Sequence, residues 1–347
     1  MKYSNNKIGF IRTLIVLFVT VFVFFAFSNS YFTTPIYFKI PKGWPKPVYD
    51  FKTNPLSEEV FQLGRNLFYD PILSRDNTIS CQSCHLQQTG FTHVDHNVSH
   101  GIEGKIGSRN SLTLQNLAWS KNFMWDGGVN SLEVQPINPI TNPLEMGESL
   151  QNVVKKLQTS EKYKVLFTKA FGDEKVNSQR LLKALAQFTV MLTSSNSKYD
   201  MVMQNKTIFT TQEQKGYELF KINCASCHKE PLFTNDKFEN NGLNFDDFYK
   251  DGGRIKITKN PKDSLLFKVP TLRNIEITGP YMHDGRIRNL PMVLFHYTND
   301  IYKTHTLSKQ LSKQIILNED DKNNLIQFLK TLTDENFLKN PRFQFPR

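Results

Sequence analysis

Cysteine is scarce in this sequence. The 347 residues hold four, and all four fall in two pentapeptides, Cys81-Gln82-Ser83-Cys84-His85 and Cys224-Ala225-Ser226-Cys227-His228. None is left over for a structural disulfide or a lipid anchor. Long apolar runs are also missing from the body of the chain. After the first thirty residues no stretch reaches the roughly 20 apolar residues that cross a bilayer. The net charge of +11 is scattered rather than clustered, and no nucleic-acid motif accompanies it. A generally lysine-rich chain accounts for that charge, although it would also steer an acidic partner.

What is present is the doubled Cys-x-x-Cys-His. Two thiolates three positions apart can reach the two vinyl groups of one porphyrin. The adjoining histidine then sits under the ring and ligates iron from one side. A Cys-x-x-Cys pair alone would serve equally for a zinc knuckle or a thioredoxin-like redox couple. The histidine following both pairs favours covalent haem. The sequence therefore predicts two haem c groups, one on Cys81 and Cys84 and one on Cys224 and Cys227, with His85 and His228 on the irons. A content of 28 phenylalanines suits walls around flat macrocycles.

At the amino end, Lys2, Lys7 and Arg12 precede an apolar run from Thr13 to Phe27. Basic residues followed by such a run are the layout of a secretory signal, with Phe27-Ser28-Asn29-Ser30 nearest to a cleavage site. Adding Ile8 to Phe10 lengthens the run to about 20 residues, enough for a single uncleaved anchor with Arg12 snorkelling. Either way residues 1–30 predict export and a periplasmic body, which agrees with haem attachment outside the cytoplasmic membrane.

The rest reads as mostly α. Gly43 to Pro55 is an extended lead-in rich in Pro and Lys. Ser57 caps a helix with Glu58 and Glu59 in its first turn and Val60, Leu63, Leu67 and Phe68 at helical spacing. That helix stops before Pro71, and a loop delivers the chain to Cys81. The layout returns with Thr211-Gln212-Glu213-Gln214 as a capping box, then a helix running into Cys224. Gly64-x-x-Leu67-Phe68 and Gly216-x-x-Leu219-Phe220 match each other. Leu150–Tyr163 and Ser178–Leu192 are helical by periodicity. Asn318-Glu319-Asp320-Asp321 caps a closing helix with Leu325, Ile326, Phe328, Leu329 and Leu332 inward. Two tandem c-type cytochrome domains, 45–200 and 201–347, each with one covalently bound haem, are predicted, with Ser194–Ser197 as linker.

Several blocks carry a more specific signal: Leu73-Ser74-Arg75-Asp76, Arg109-Asn110, Trp125-Asp126-Gly127, Asn142-Pro143-Leu144-Glu145-Met146, Lys268 to Asn274, and Gly279 to Gly285. In this order, over roughly residues 60–300, they resemble the bacterial di-haem cytochrome c peroxidases. That superfamily includes the branch that matures tryptophan tryptophylquinone. The resemblance implies a peroxide site at the first haem and an electron-transfer site at the second. Glu145 would be the acid/base, taking the proton from the inner peroxide oxygen and giving it to the outer one. Gln135, ten residues before it, would position peroxide, and Trp125, ten residues earlier again, would bridge the haems.

The family places a histidine over the first iron, in a slot that here holds Ile102. His100, two residues earlier, is the candidate, and otherwise the iron is open at rest. The second iron's far ligand is Met in typical members, fourteen residues beyond the His of His-Asp-Gly. Here that position is Tyr297, as in the quinone-maturing branch, with Met292 and His296 as rivals. A bridging calcium would take oxygens from Asn110, Thr278 and Pro280. The implied reaction is reduction of hydrogen peroxide to water by a small electron donor, a cytochrome c or a cupredoxin, in a protein that could be a homodimer. Peroxide-dependent oxidation of a protein substrate is the alternative. A plain di-haem electron carrier is the third reading, and Glu145 with Gln135 argues against it.

Overall fold

Residues 33–346 are described in the computed structural model. The predicted signal or anchor segment lies outside them. Among the described residues no helix is long and apolar enough to cross a membrane.

Helix α1, Glu58–Tyr69, starts where Ser57 Oγ accepts from Val60 N, and two glutamates sit against its positive end. It buries Val60, Phe61, Leu63, Leu67 and Phe68. The periodic stretch after Leu150 is two helices, not one: α2, Leu150–Thr159, and α3, Glu161–Phe171. Ser160 between them is extended, and the Thr159 hydroxyl donates back to the Lys155 and Lys156 carbonyls. Helix α4, Ser178–Val190, closes this half.

The second half repeats the plan with α5, Lys198–Met203, α6, Thr211–Asn223, α7, Leu290–Asn299, and α8, Glu319–Lys330. The capping box of α6 lies one residue earlier than the sequence suggests. Thr210, not Thr211, is the cap, and Glu213, not Gln214, closes the box by accepting from Thr210 N at 2.7 Å. A carboxylate accepts more strongly than an amide, and Lys198 Nζ pins Glu213 at 2.6 Å. Asn318 caps α8 as expected, and Leu325, Phe328, Leu329 and Leu332 are buried. Among the described residues, sheet is limited to one pair of two-residue strands, Phe238–Glu239 against Phe267–Lys268.

The matched glycines have a packing reason. A Cβ on Gly64 would lie 1.9 Å from the Ala184 carbonyl oxygen, and one on Gly216 would lie 1.9 Å from that of Asn324. Each marks the point where the helix before a haem motif crosses the closing helix of its half. Phe188 and Phe328 pack at these crossings, tilted against Phe68 and Phe220, and are fully buried. Burial of each such ring stabilises by about 1.5–3 kcal/mol.

The join between the halves is built in. Ser194 and Ser197, expected in a linker, are buried. Asp334 accepts from Ser194 Oγ, Ser195 N and Asn196 N at 2.8–3.1 Å. Just beyond it the chain returns to the first half. Phe337, Leu338 and Phe343 pack in the first core, Tyr69 donates to the Phe343 carbonyl at 2.6 Å and Gln87 to that of Asn340 at 2.9 Å. The end of the second half thus packs against the first.

A second internal match emerges from the backbone. Thr113-Leu114-Gln115-Asn116 parallels Thr271-Leu272-Arg273-Asn274. Both asparagines hold φ 60°, a left-handed conformation that Asn tolerates. Met124-Trp125-Asp126-Gly127 parallels Met282-His283-Asp284-Gly285, with φ 67° and 75° at the methionines. Each closes a tight hairpin, Phe123 bridging Val129 and Tyr281 bridging Ile287.

Candidate active site

Cys81–Ser83 forms a single turn, and Cys84 and His85 close it by donating to the Cys81 and Gln82 carbonyls at 3.2 and 3.3 Å. The His85 ring then lies with Nδ1 2.8 Å from the Phe91 carbonyl. Nδ1 carries the proton in that bond, so the Nε2 lone pair is left for a metal. Burial pushes the imidazole down to about 4, keeping it neutral. His228 repeats the arrangement, with Nδ1 3.2 Å from both the Phe233 and Pro270 carbonyls and its pKa also pushed down by burial to about 4.

Each histidine faces a cavity. The second is lined by Cys224, Cys227, His228 and Tyr297 with apolar walls from Leu272, Leu290, Leu294, Leu325 and Leu329. Two thiols, a neutral imidazole with its far nitrogen free, and apolar walls are a donor set and surround that fit haem c. The first cavity is more polar. His85, Gln135, Asn142 and Glu145 line it together with Arg109, Asn110, Met124 and Trp125.

Glu145 is carried on a short loop with every turn pinned. Asn142 Oδ1 accepts from Leu144 N at 3.0 Å, and Met146 N and Glu148 N donate back to the Pro139 and Ile140 carbonyls. The Asn142 amide donates to Glu145 Oε1 at 2.8 Å, and Glu145 lines the cavity. Burial raises the Glu145 pKa, and the Asn142 bond offsets only part of the rise. A carboxyl of that kind beside a metal-competent imidazole can accept a proton and return it. Gln135 opens on the same cavity, its amide 3.8 Å from Met124 Sδ.

Trp125 lines both cavities. Its indole donates to the Asn110 carbonyl at 2.8 Å and its own carbonyl accepts from Lys268 N at 2.7 Å. Asn110 N in turn donates to the His283 carbonyl at 2.7 Å. Trp125, Asn110 and the Gly279–Gly285 block thus meet at the seam between the halves.

Tyr297, on α7, faces the cavity of His228 and Cys224, and burial pushes its phenol up to about 12. Met292 is 48% exposed, and His296 is buried with Nε2 3.0 Å from the Asn241 carbonyl. His100 is not brought to the first cavity. It is exposed and its ring stacks on His96, with centroids 4.0 Å apart. The reason is the hairpin at 100–106, where His100 bridges Ile106 and Gly101 N donates to the Lys105 carbonyl.

Asn110 and Pro280, expected around calcium, are in contact: the Asn110 amide nitrogen is 2.6 Å from the Pro280 carbonyl and its Oδ1 is buried without a partner. Thr278 lies two residues away and is half-buried.

Sequence reasoning missed two features. Arg109 ties the halves by donating to Asp126 at 2.6 Å and to both oxygens of Asp251 at 2.6 and 3.0 Å. Burial alone would raise Asp251, but the guanidinium overrides it and holds the carboxyl well below the usual range. Asn241 reaches into the second cavity, its amide 3.1 Å from Met282 Sδ. The parallel Trp-Asp-Gly and His-Asp-Gly blocks could have flagged the first, whereas nothing local marks Asn241.

Two cytochrome c-type units, each presenting two thiols and a neutral imidazole, define a di-haem protein. A family model described as Di-haem cytochrome c peroxidase matches residues 58–208, and one described as Cytochrome c matches 213–333. The chain is 36% identical over 304 residues to methylamine utilization protein MauG of Methylophilus methylotrophus, covering 85% of this chain and 87% of that one. It is 32% identical over 308 residues to cytochrome c551 peroxidase of Nitrosomonas europaea, covering 87% of each. A solved MauG-like protein associated with microbial copper homeostasis superposes with a TM-score of 0.82 at 32% identity, covering 90% of this chain and 99% of the other. The chain belongs to the di-haem cytochrome c peroxidase family, a family of oxidoreductases acting on peroxide.

Proposed function

We propose that this chain reduces hydrogen peroxide to two waters at the first cavity, consuming two electrons and two protons. The observation that carries the reading is that Glu145, Gln135 and His85 line one cavity, while Trp125 walls both. Bound haem would supply the iron that takes peroxide and stores oxidising equivalents. Cys81, Cys84 and His85 would hold one group, and Cys224, Cys227 and His228 the other. Glu145 Oε2 accepts the proton of the inner peroxide oxygen and returns it to the outer one. Gln135 orients the substrate by hydrogen bonding. Trp125 provides the aromatic path between the two sites, and a small external cytochrome c or cupredoxin delivers electrons at the second. We infer a periplasmic location and two units meeting near residue 200. We also infer a calcium ion at Asn110, Thr278 and Pro280. The orphaned Asn110 Oδ1 supports it, and calcium content after dialysis against EGTA tests it.

Steady-state turnover of the holoprotein with reduced cytochrome c tests the main reading. Two donors oxidised per peroxide are expected. Rapid reaction with peroxide and no donor oxidation would overturn it in favour of oxidising a protein substrate. Tyr297 supports that second reading, because a phenolate stabilises ferric iron where a thioether would raise the potential. Tyr297→Phe is expected to change the absorption of the second haem alone. An unchanged spectrum would exclude the ligand role.

A further inference from the structure

The loop from Phe91 to Ile102 carries three histidines that the peroxide reaction leaves unused. Among the described residues, six buried side-chain polar atoms lack a hydrogen-bond partner, and three of them lie in this loop: His93 Nδ1, His96 Nδ1 and Asn97 Oδ1. Leaving such an atom unpaired costs about 1–3 kcal/mol, so a cluster of them asks for a missing partner. His93 is 1% exposed. Its hydrogen bond from Ser111 N is long, 3.4 Å. The His93 and His96 rings lie with centroids 4.2 Å apart. Beside them Asp95 Oδ1 is 3.5 Å from His96 Nε2. One ligand-competent atom from each of His93, Asp95 and His96 falls within 4.8 Å of the others.

We propose that His93, Asp95 and His96 bind one divalent first-row transition ion, Zn2+ or Cu2+, separate from both haems. Two imidazoles and a carboxylate are a borderline donor set that suits these ions and disfavours Ca2+ and Mg2+. The side chain of Asp95 is 76% exposed, so ions can enter from solvent and water can complete the coordination sphere.

The position gives the ion leverage. A Cβ on Gly101 would meet the Leu144 carbonyl oxygen at 2.1 Å, and Ile102 N donates to the Glu145 carbonyl at 2.8 Å. On the other side, a Cβ on Gly285 would meet the Asn97 carbonyl oxygen at 2.0 Å. The loop is therefore wedged between the backbone of Glu145 and the His-Asp-Gly hairpin of the second half. An ion clamping 93–96 holds the wedge in place.

The test is metal binding by the full-length holoprotein, with both haems attached. After equilibrium dialysis against Zn2+ and desalting, elemental analysis is expected to give one zinc for every two irons. Asp95→Asn and His96→Gln are each expected to weaken Zn2+ binding at least about tenfold with the haem absorbance unchanged. Asp95 is exposed, so its variant does not threaten folding. Cu2+ should bind the same site more tightly than Zn2+, following the usual order of affinities. Zinc no higher in the wild type than in a variant carrying both Asp95→Asn and His96→Gln would overturn the proposal. So would a shift in the first haem's spectrum in His96→Gln, because it would make that histidine a haem ligand. Neither outcome depends on peroxide turnover, so the peroxidase reading stands or falls separately.

Discussion

Glu145→Gln is expected to lower kcat/KM for peroxide by about 10²–10⁴-fold, the usual worth of a positioned acid/base, while both haems stay attached. The substitution is close to isosteric. A glutamine oxygen can still accept from the Asn142 amide, as Oε1 does now at 2.8 Å, and the loop is fixed by the bond from Leu144 N to Asn142 Oδ1 and by backbone bonds at Met146 and Glu148. What is lost is the ability of the second oxygen to take a proton. The pH profile separates this from a structural effect. Burial raises the Glu145 pKa, and the carboxylate is the form that accepts the proton. Activity should therefore fall as pH drops through a value above that of an ordinary glutamate, and the variant should lose that limb. Turnover at the wild-type rate across the pH range would remove Glu145 from the reaction.

The haem sites were legible because covalent attachment demands two thiols and an imidazole at fixed spacing, and no packing can relax that demand. Ser57 and Asn318 were legible as caps for a local reason: each satisfies amides within its own next turn. Thr210 was misread by one residue because a capping box fits either of two overlapping tetrads, 210–213 and 211–214, and the choice was made by Lys198, which a local window does not reach. The outward turn of His100 depends on a hairpin closing at Ile106. The return of Phe337 and Phe343 to the first core depends on a carboxylate, Asp334, gripping a segment about 140 residues earlier. These are tertiary choices, and no periodicity records them. Arg109 shows the same limit, since its partners Asp126 and Asp251 come from opposite halves. The matched glycines were an intermediate case. Their repetition was visible, but the reason for it, a carbonyl oxygen with no room for a methyl, lies on another helix.

Gly216→Ala should be destabilising, against the ordinary rule. In a helix interior, alanine normally stabilises by about 0.8–1.0 kcal/mol relative to glycine. Here the added Cβ would stand 1.9 Å from the Asn324 carbonyl oxygen, 2.6 Å from its carbon and 2.8 Å from Phe328 Cβ. Backbone cannot rotate out of the way as a side chain can, so α8 must shift away from α6. Phe328 would move with it, and that ring is fully buried against Tyr217 and Phe220 at centroid distances of 5.1 Å. Overpacking of this kind costs about 1–3 kcal/mol, and rigid backbone on the receiving side puts the net loss near the upper end after the propensity gain. Heat unfolding of the holoprotein followed by haem absorbance should show a fall of several degrees. Gly64→Ala should behave alike, because its Cβ would meet the Ala184 oxygen at the same 1.9 Å. The two differ in what they disturb. Gly64 lies in the half that holds Glu145, and Gly216 in the half that holds Tyr297, so each variant should loosen its own haem's spectrum first. A midpoint unchanged or raised in both would mean that the two helix pairs do not cross at backbone contact.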